Sequence, residues 1–311
     1  MARNSTIDEP HPEATKGDEG LFDASALAIA SRDGHNHDEA PVPPGEPFAV
    51  ILNESNATPF DLRFRLFGTY ARVHPLFWVI AVVFGWARAT APNRSIKLSD
   101  SGMAELAVFV GCFFFSILLH EFGHIWMGRI FGTDGHIVLQ GFGGLAVGAN
   151  ALYHRGKRIL VSAAGPAIQL VLFGILLLGL TLRLAIEIPD GVRLGINYLF
   201  FMNLIWPLFN LLPIYPLDGG QITREVCCQL SPNKGLLASL WISLIVAVTL
   251  ALNALAGKYE RPFLPWYFNI LDPLFAAIFF AMFAVGSWQA IMAEQQSRRA
   301  PEDDDALPWE R

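Results

Sequence analysis

Long apolar runs alternate with short polar segments along most of this chain. Six of them, at roughly 74–90, 104–128, 159–183, 194–214, 236–256 and 270–292, each approach the ~20 residues that a helix needs to cross a bilayer. The first is the shortest and starts at His74-Pro75. The pattern predicts an all-α polytopic membrane protein with about six transmembrane helices. One stretch has a different period: Phe60, Leu62, Phe64 and Leu66 alternate with Asp61, Arg63 and Arg65, which is the spacing of a strand. A small interfacial β-element is therefore expected ahead of the first span.

Composition agrees with the pattern. The 311 residues are 53% hydrophobic and 16% charged, too apolar for an ordinary soluble domain. A soluble helical protein with buried helices is the other reading of such runs, but six of them leave too little polar surface to cover it. The ends differ from the middle. Residues 1–59 are rich in Pro, Gly, Asp and Glu and read as a disordered acidic cytoplasmic tail, in which His35 and His37 are solvated. Residues 294–311, with Glu302-Asp303-Asp304-Asp305, form a polar C-terminal tail, leaving 60–293 as the membrane domain. The net charge of −6 comes mostly from these ends and gives no reason to expect nucleic acid.

Orientation follows from basic residues beside the spans. Arg63, Arg65, Arg72, Arg129, Arg155, Lys157, Arg158, Arg224, Lys234, Arg298 and Arg299 all fall on one side of a six-span topology, the side expected to be cytoplasmic. After Met1-Ala2-Arg3 the chain is polar, unlike a signal peptide. Both termini are thus expected inside, in a bacterial inner membrane. Cys112, Cys227 and Cys228 read as thiols in a reducing compartment.

The chemistry is concentrated in the second span. Between Ala104 and Leu119 the only charged residue is Glu105, and then come His120-Glu121-Phe122-Gly123-His124. Histidines at i and i+4 project from one helical face. They can hold a single Zn²⁺, with Glu121 beside it as general base. Ionisable groups inside a span are costly and point to function. A peptidase zinc needs a third protein ligand and an open position. His74, His136 and His154 are candidates on composition, although each sits at a span end or loop. Asp218 is the better candidate. In Asn210-Leu211-Leu212-Pro213-Ile214-Tyr215-Pro216-Leu217-Asp218-Gly219-Gly220, the prolines end the fourth span. Gly219 and Gly220 would allow positive φ, so that the chain turns sharply and aims the Asp218 carboxylate inward.

Together these two motifs resemble the site-2 protease family of zinc intramembrane metalloproteases, peptidase family M50. Asn210, Pro213, Leu217, Asp218 and Gly219 fit its second motif without a gap. Phe131-Gly132-Thr133 and the segment from His136 to Gly144 are similar to its strand and glycine-rich segment, and Gly165-Pro166 to its third-span pair. The resemblance covers about residues 60 to 225. It implies a three-helix catalytic core formed by the second to fourth spans, with one Zn²⁺ held by His120, His124 and Asp218 and water activated by Glu121. Asn210, Gly143 and Gly144 are the implied substrate-positioning residues. The implied substrates are membrane-spanning proteins cut within the lipid bilayer; nothing in the residues gives the oligomeric state. Gln169 stands where the family commonly has Asn, which affects a substrate contact while the zinc chemistry is expected not to depend on it. A metal-ion transporter or an inactive helix-binding scaffold is the alternative. A transporter would need more polar residues across the spans than are present, and a scaffold would not need Glu121.

Overall fold

The computed structural model describes residues 57–90, 96–141, 143–182, 188–259, 261–264 and 273–299. The acidic segment 1–56, the linker residues 91–95, Phe142 and the acidic stretch after 299 lie outside these described residues. Among the described residues, seven helices and four strands follow one another in the order β1 (Leu62–Leu66), β2 (Thr69–Val73), α1 (Pro75–Thr90), α2 (Met103–Ile130), β3 (His136–Gln140), β4 (Gly143–Val147), α3 (Arg155–Thr181), α4 (Asp190–Asn210), α5 (Asp218–Leu230), α6 (Gly235–Lys258) and α7 (Pro273–Arg299). Five of these helices (α2, α3, α4, α6 and α7) are long and apolar enough to cross a membrane. The first expected span is present as α1, but its apolar stretch runs only from Pro75 to Trp86, short of a full crossing. Pro75 opens α1 because its ring presets helical φ where no amide donor is needed. The last helix runs through Arg299, beyond the expected span end at 292.

Outward faces of the helices are apolar. Val171, Ile175 and Leu178 on α3, Ile245 and Leu252 on α6, and Ile278 and Val285 on α7 are all more than half exposed. Apolar exposure on that scale fits a surface that meets lipid. Inside, Phe77 on α1 and Phe109, Phe113, Ile117 and Phe122 on α2 form the largest core cluster.

The β-element is a four-stranded sheet in the order β1-β2-β3-β4. β1 and β2 form an antiparallel hairpin, β2 runs parallel to β3, and β3 is antiparallel to β4. The hairpin turns at Phe67 and Gly68, both at positive φ (49° and 73°), as a two-residue loop of the right hand requires. Phe67 is an unusual residue for that conformation. Its ring packs edge-on against Phe122 and Trp126 of α2, and Arg129 donates to the carbonyl oxygens of Phe67 and Gly68. The sheet is thereby fastened to the C-terminal end of α2, just beyond the histidine pair. The Val73–Leu139 pairing and the His74 amide donating to Leu139 O continue this link to the start of α1. β4 ends the sheet and lies along α2.

Candidate metal centre

Four ionisable side chains meet inside this apolar protein. His120, Glu121 and His124 on α2 are 3%, 4% and 7% exposed, and Asp218, the first residue of α5, is 8% exposed. His120, His124 and Asp218 bring their ligand atoms within 4.8 Å of one another. The two Nε2 atoms are 3.1 Å apart. His120 Nε2 is 3.0 Å from Asp218 Oδ2, and His124 Nε2 is 3.4 Å from Oδ1.

Hydrogen bonds on the far side of each ring show what these atoms offer. His124 Nδ1 lies 2.7 Å from the Val161 carbonyl oxygen, which can only accept, so Nδ1 carries the proton. His120 Nδ1 lies 2.9 Å from Gln169 Oε1 and is likewise the donor. In neutral imidazole the other nitrogen is then bare. With both imidazoles neutral, two lone pairs and a carboxylate converge on one point. Asp218 Oδ2 accordingly accepts no hydrogen bond although it is buried and 3.0 Å from an imidazole nitrogen. A cation resolves that arrangement. Ligands bound ~2.0–2.1 Å from a tetrahedral zinc lie ~3.3 Å apart, close to the three separations found. The residues present fit zinc.

Glycines let the site form. A Cβ on Gly165 would fall 2.9 Å from His120 Nε2 and strike His124 Nε2 as well. A Cβ on Gly123 would fall 2.6 Å from the Ala164 carbonyl oxygen. α2 and α3 therefore cross at a glycine on each side, and both imidazoles rest on the backbone of α3. Gly144 of β4 does the same for Glu121: a Cβ there would collide with the Glu121 carboxyl group. The glycine-rich segment thus leaves the general-base candidate its space.

Asp218 reaches the site by a different route from the one expected. Gly219 and Gly220 are not at positive φ; they occupy the first turn of α5. Added Cβ atoms would strike the backbone of Leu211 and Leu212 or of Ile214 and Tyr215. The loop that follows α4 packs directly on that turn, and glycine is needed for this close approach. Residues 211–217 form a run of turns, closed by Leu217 N donating to Ile214 O. The helix α5 itself went unforeseen. It is pinned to the start of α3 by Glu225, which accepts from Arg158 at 2.6 Å and Arg155 at 3.4 Å. Neither Glu225 nor the Val161 carbonyl carries a local signature.

A cavity of about 1040 Å³ opens onto these groups, lined also by Asn210, Gly143, Gly144 and His74. The expected substrate-positioning residues therefore share one space with the metal-binding candidates. Of the other histidines, His74 accepts from the Leu76 amide, His136 begins β3 and His154 precedes α3. Among the described residues, His120, His124 and Asp218 form the one cluster able to hold a metal. Gln169 also departs from expectation. It is fully buried and bonded to His120, so the metal site and this third-span residue are physically connected.

Comparison with known proteins agrees with the geometry. The sequence profile described as Peptidase family M50 matches residues 186–252, the part that contains Asp218. A protein of Synechocystis sp. provisionally named a zinc metalloprotease is 29% identical over 217 residues, covering 65% of this chain and 56% of its own length. A zinc metalloprotease of Methanocaldococcus jannaschii is 33% identical over 190 residues, 61% of this chain and 51% of its own. This chain spans about half the length of those two relatives. The provisionally named zinc metalloprotease Rip2 of Mycolicibacterium smegmatis is 30% identical over 235 residues, 64% of this chain and 87% of its own length. With five helices of membrane-crossing length and these relatives, the chain is an integral membrane protein belonging to peptidase family M50, the site-2 protease family.

Proposed function

We propose that this protein is a zinc-dependent intramembrane endopeptidase that hydrolyses peptide bonds in or near the transmembrane helices of membrane-tethered proteins. The observation that carries the reading is the convergence of His120, Glu121 and His124, from a helix apolar enough to span a bilayer, with the buried Asp218 carboxylate at the start of α5. Bound at His120, His124 and Asp218, one zinc per chain would supply Lewis acidity to a peptide carbonyl and to a water. Glu121 takes the proton as the water oxygen attacks the carbonyl carbon, then delivers it to the amide nitrogen as the C–N bond breaks. Gly144 keeps that carboxylate unobstructed. Asn210, on the same cavity, has an amide able to donate to the substrate carbonyl oxygen.

A peptide bond inside a helix is shielded because its carbonyl is already hydrogen-bonded. An unwound substrate segment must find other partners for its backbone. β4 is an edge strand whose residues line the cavity, and an extended segment laid beside it would regain main-chain hydrogen bonds. The peptidase unit in this reading is 60–293, flanked by the polar segments 1–59 and 294–311. Both termini lie in the cytoplasm and the site in the cytoplasmic half of a bacterial inner membrane, as the basic residues favour.

Incubating the purified protein with a single-span protein substrate tests this directly. The wild type cleaves it, a zinc chelator stops cleavage, and Glu121→Gln retains zinc while turnover falls by about 10²–10⁴. Cleavage by Glu121→Gln at the wild-type rate overturns the proposal.

A further inference from the structure

A chain of polar side chains runs through the otherwise apolar contact of α2, α3 and α4, and it ends on one imidazole of the metal cluster. Gln169 on α3 is fully buried. Its Nε2 donates to the Ser116 carbonyl oxygen at 3.0 Å and its Oε1 faces His120 Nδ1 at 2.9 Å. Ser116, one helical turn before His120, is also held from α4: Asn203 Nδ2 donates to its Oγ at 3.0 Å. Ser116 and Asn203 are both buried.

A primary amide can face a histidine in either of two ways. With oxygen toward the ring it accepts and fixes the proton on Nδ1; with nitrogen toward the ring it donates and drives the proton to Nε2. Here the choice is made at the other end of the amide. The Ser116 carbonyl is only an acceptor, so the amide nitrogen must turn to it and the oxygen must turn to His120. That leaves His120 Nε2 bare and aimed at Asp218 and His124. His124 needs no such relay, because a backbone carbonyl, Val161 O, performs the same task.

We infer that Gln169 is a positioning residue for the metal: anchored by the Ser116 carbonyl, it holds His120 in the one tautomer and ring orientation that can bind zinc. It acts through His120 and needs no contact with substrate. The inference rests on the reading of His120 as a zinc ligand and adds a residue on which zinc affinity depends. Outer hydrogen-bond partners of metal-bound histidines characteristically alter affinity by about 10–100-fold when removed.

The test is zinc affinity of the full-length, detergent-solubilised protein, measured by competition with a chromogenic chelator, with no peptidase assay. Gln169→Met keeps length and apolar volume but can neither accept from Nδ1 nor bind Ser116 O; Gln169→Ala removes the group altogether. Whichever of them folds, zinc affinity falls about 10–100-fold. Gln169→Glu is the rescue. As a neutral acid its hydroxyl donates to Ser116 O and its carbonyl oxygen accepts from Nδ1, so affinity stays near the wild-type level. Ser116→Ala perturbs the same helical contact but keeps the carbonyl that anchors Gln169, and it leaves zinc affinity unchanged. In Co²⁺-loaded protein the visible d–d bands shift in Gln169→Met and stay in place in Ser116→Ala. Wild-type affinity in both Gln169→Met and Gln169→Ala, or equal loss in Ser116→Ala, overturns the inference and leaves the zinc site standing. A wild type that binds no zinc overturns both.

Discussion

Two helix contacts in this protein use small residues for opposite ends. Where α2 crosses α3, Gly123 and Gly165 bring the backbones together so that two imidazoles rest on α3. In the α6–α7 pair, Ala247, Ala254, Ala276, Ala284 and Ala290 are buried, with Leu250, Phe280 and Ile291 filling between them. The polar groups of the two contacts behave differently as well. On α6, Ser239 and Ser243 donate to carbonyls of their own helix, Leu236 O and Ser239 O. Beside the site, donors reach between helices: Gln169 to Ser116 O, Asn203 to Ser116 Oγ and His124 to Val161 O. A hydroxyl satisfied within its own helix adds packing at little polar cost. A donor that bridges two helices fixes their register and rotation, and beside the site such donors aim the ligands.

The contrast makes the two contacts respond differently to one added group. Gly165→Ala places a methyl against both Nε2 atoms. Zinc affinity should fall by more than the ~100-fold that losing an outer partner costs, while the purified protein remains membrane-extractable and helical. Competition with a chelator measures the first and circular dichroism the second. Ala247→Leu, at a fully buried position of α6, should cost about 1–3 kcal/mol of stability by overpacking. Its zinc content should equal the wild type, which would show that the two contacts are energetically separate. Loss of zinc in Ala247→Leu would break the comparison.

A smaller effect is expected at the sheet. The Asp61 carboxyl is held below its ordinary value by the Thr58 hydroxyl and amide and by the Arg72 guanidinium, against a desolvation that acts the other way. A carboxylate with a depressed folded-state pKa stabilises above its unfolded value, near 3.8. That contribution is lost as pH falls through the lower folded value. Amide protection of β1 should therefore drop as pH falls below 3.8 in an Asp61-dependent manner, and Asp61→Asn should abolish the dependence. Hydrogen exchange across that range reads it.

Much of this architecture is legible in the sequence because membranes impose a simple rule. Hydrophobic runs long enough to cross a bilayer become helices, and all six expected runs are helical, although α1 is too short to count with the others. The alternation at residues 60–67 reports β1 for the same reason of period. The helix α5 was hidden because Asp-Gly-Gly reads as a turn and a 13-residue polar helix has no membrane signal. The parallel pairing of β2 with β3 joins residues some 66 positions apart, Ala71 with Ile137, and no local pattern encodes it. At the site, motif spacing singles out His120, Glu121, His124 and Asp218. The groups that orient them are another matter. Val161 contributes a backbone carbonyl, and Gln169 is one polar residue in a long apolar helix. Glu225 lies in a segment with no motif. Their roles come from tertiary proximity alone.

The central claim is that His120, His124 and Asp218 hold one zinc. The most direct measurement is metal content of the purified, detergent-solubilised protein by elemental mass spectrometry, wild type beside Asp218→Ala. The account predicts close to one zinc per chain in the wild type and little in the variant, since removing a ligand costs affinity directly. Equal zinc in both proteins, or none in a folded wild type, would contradict it.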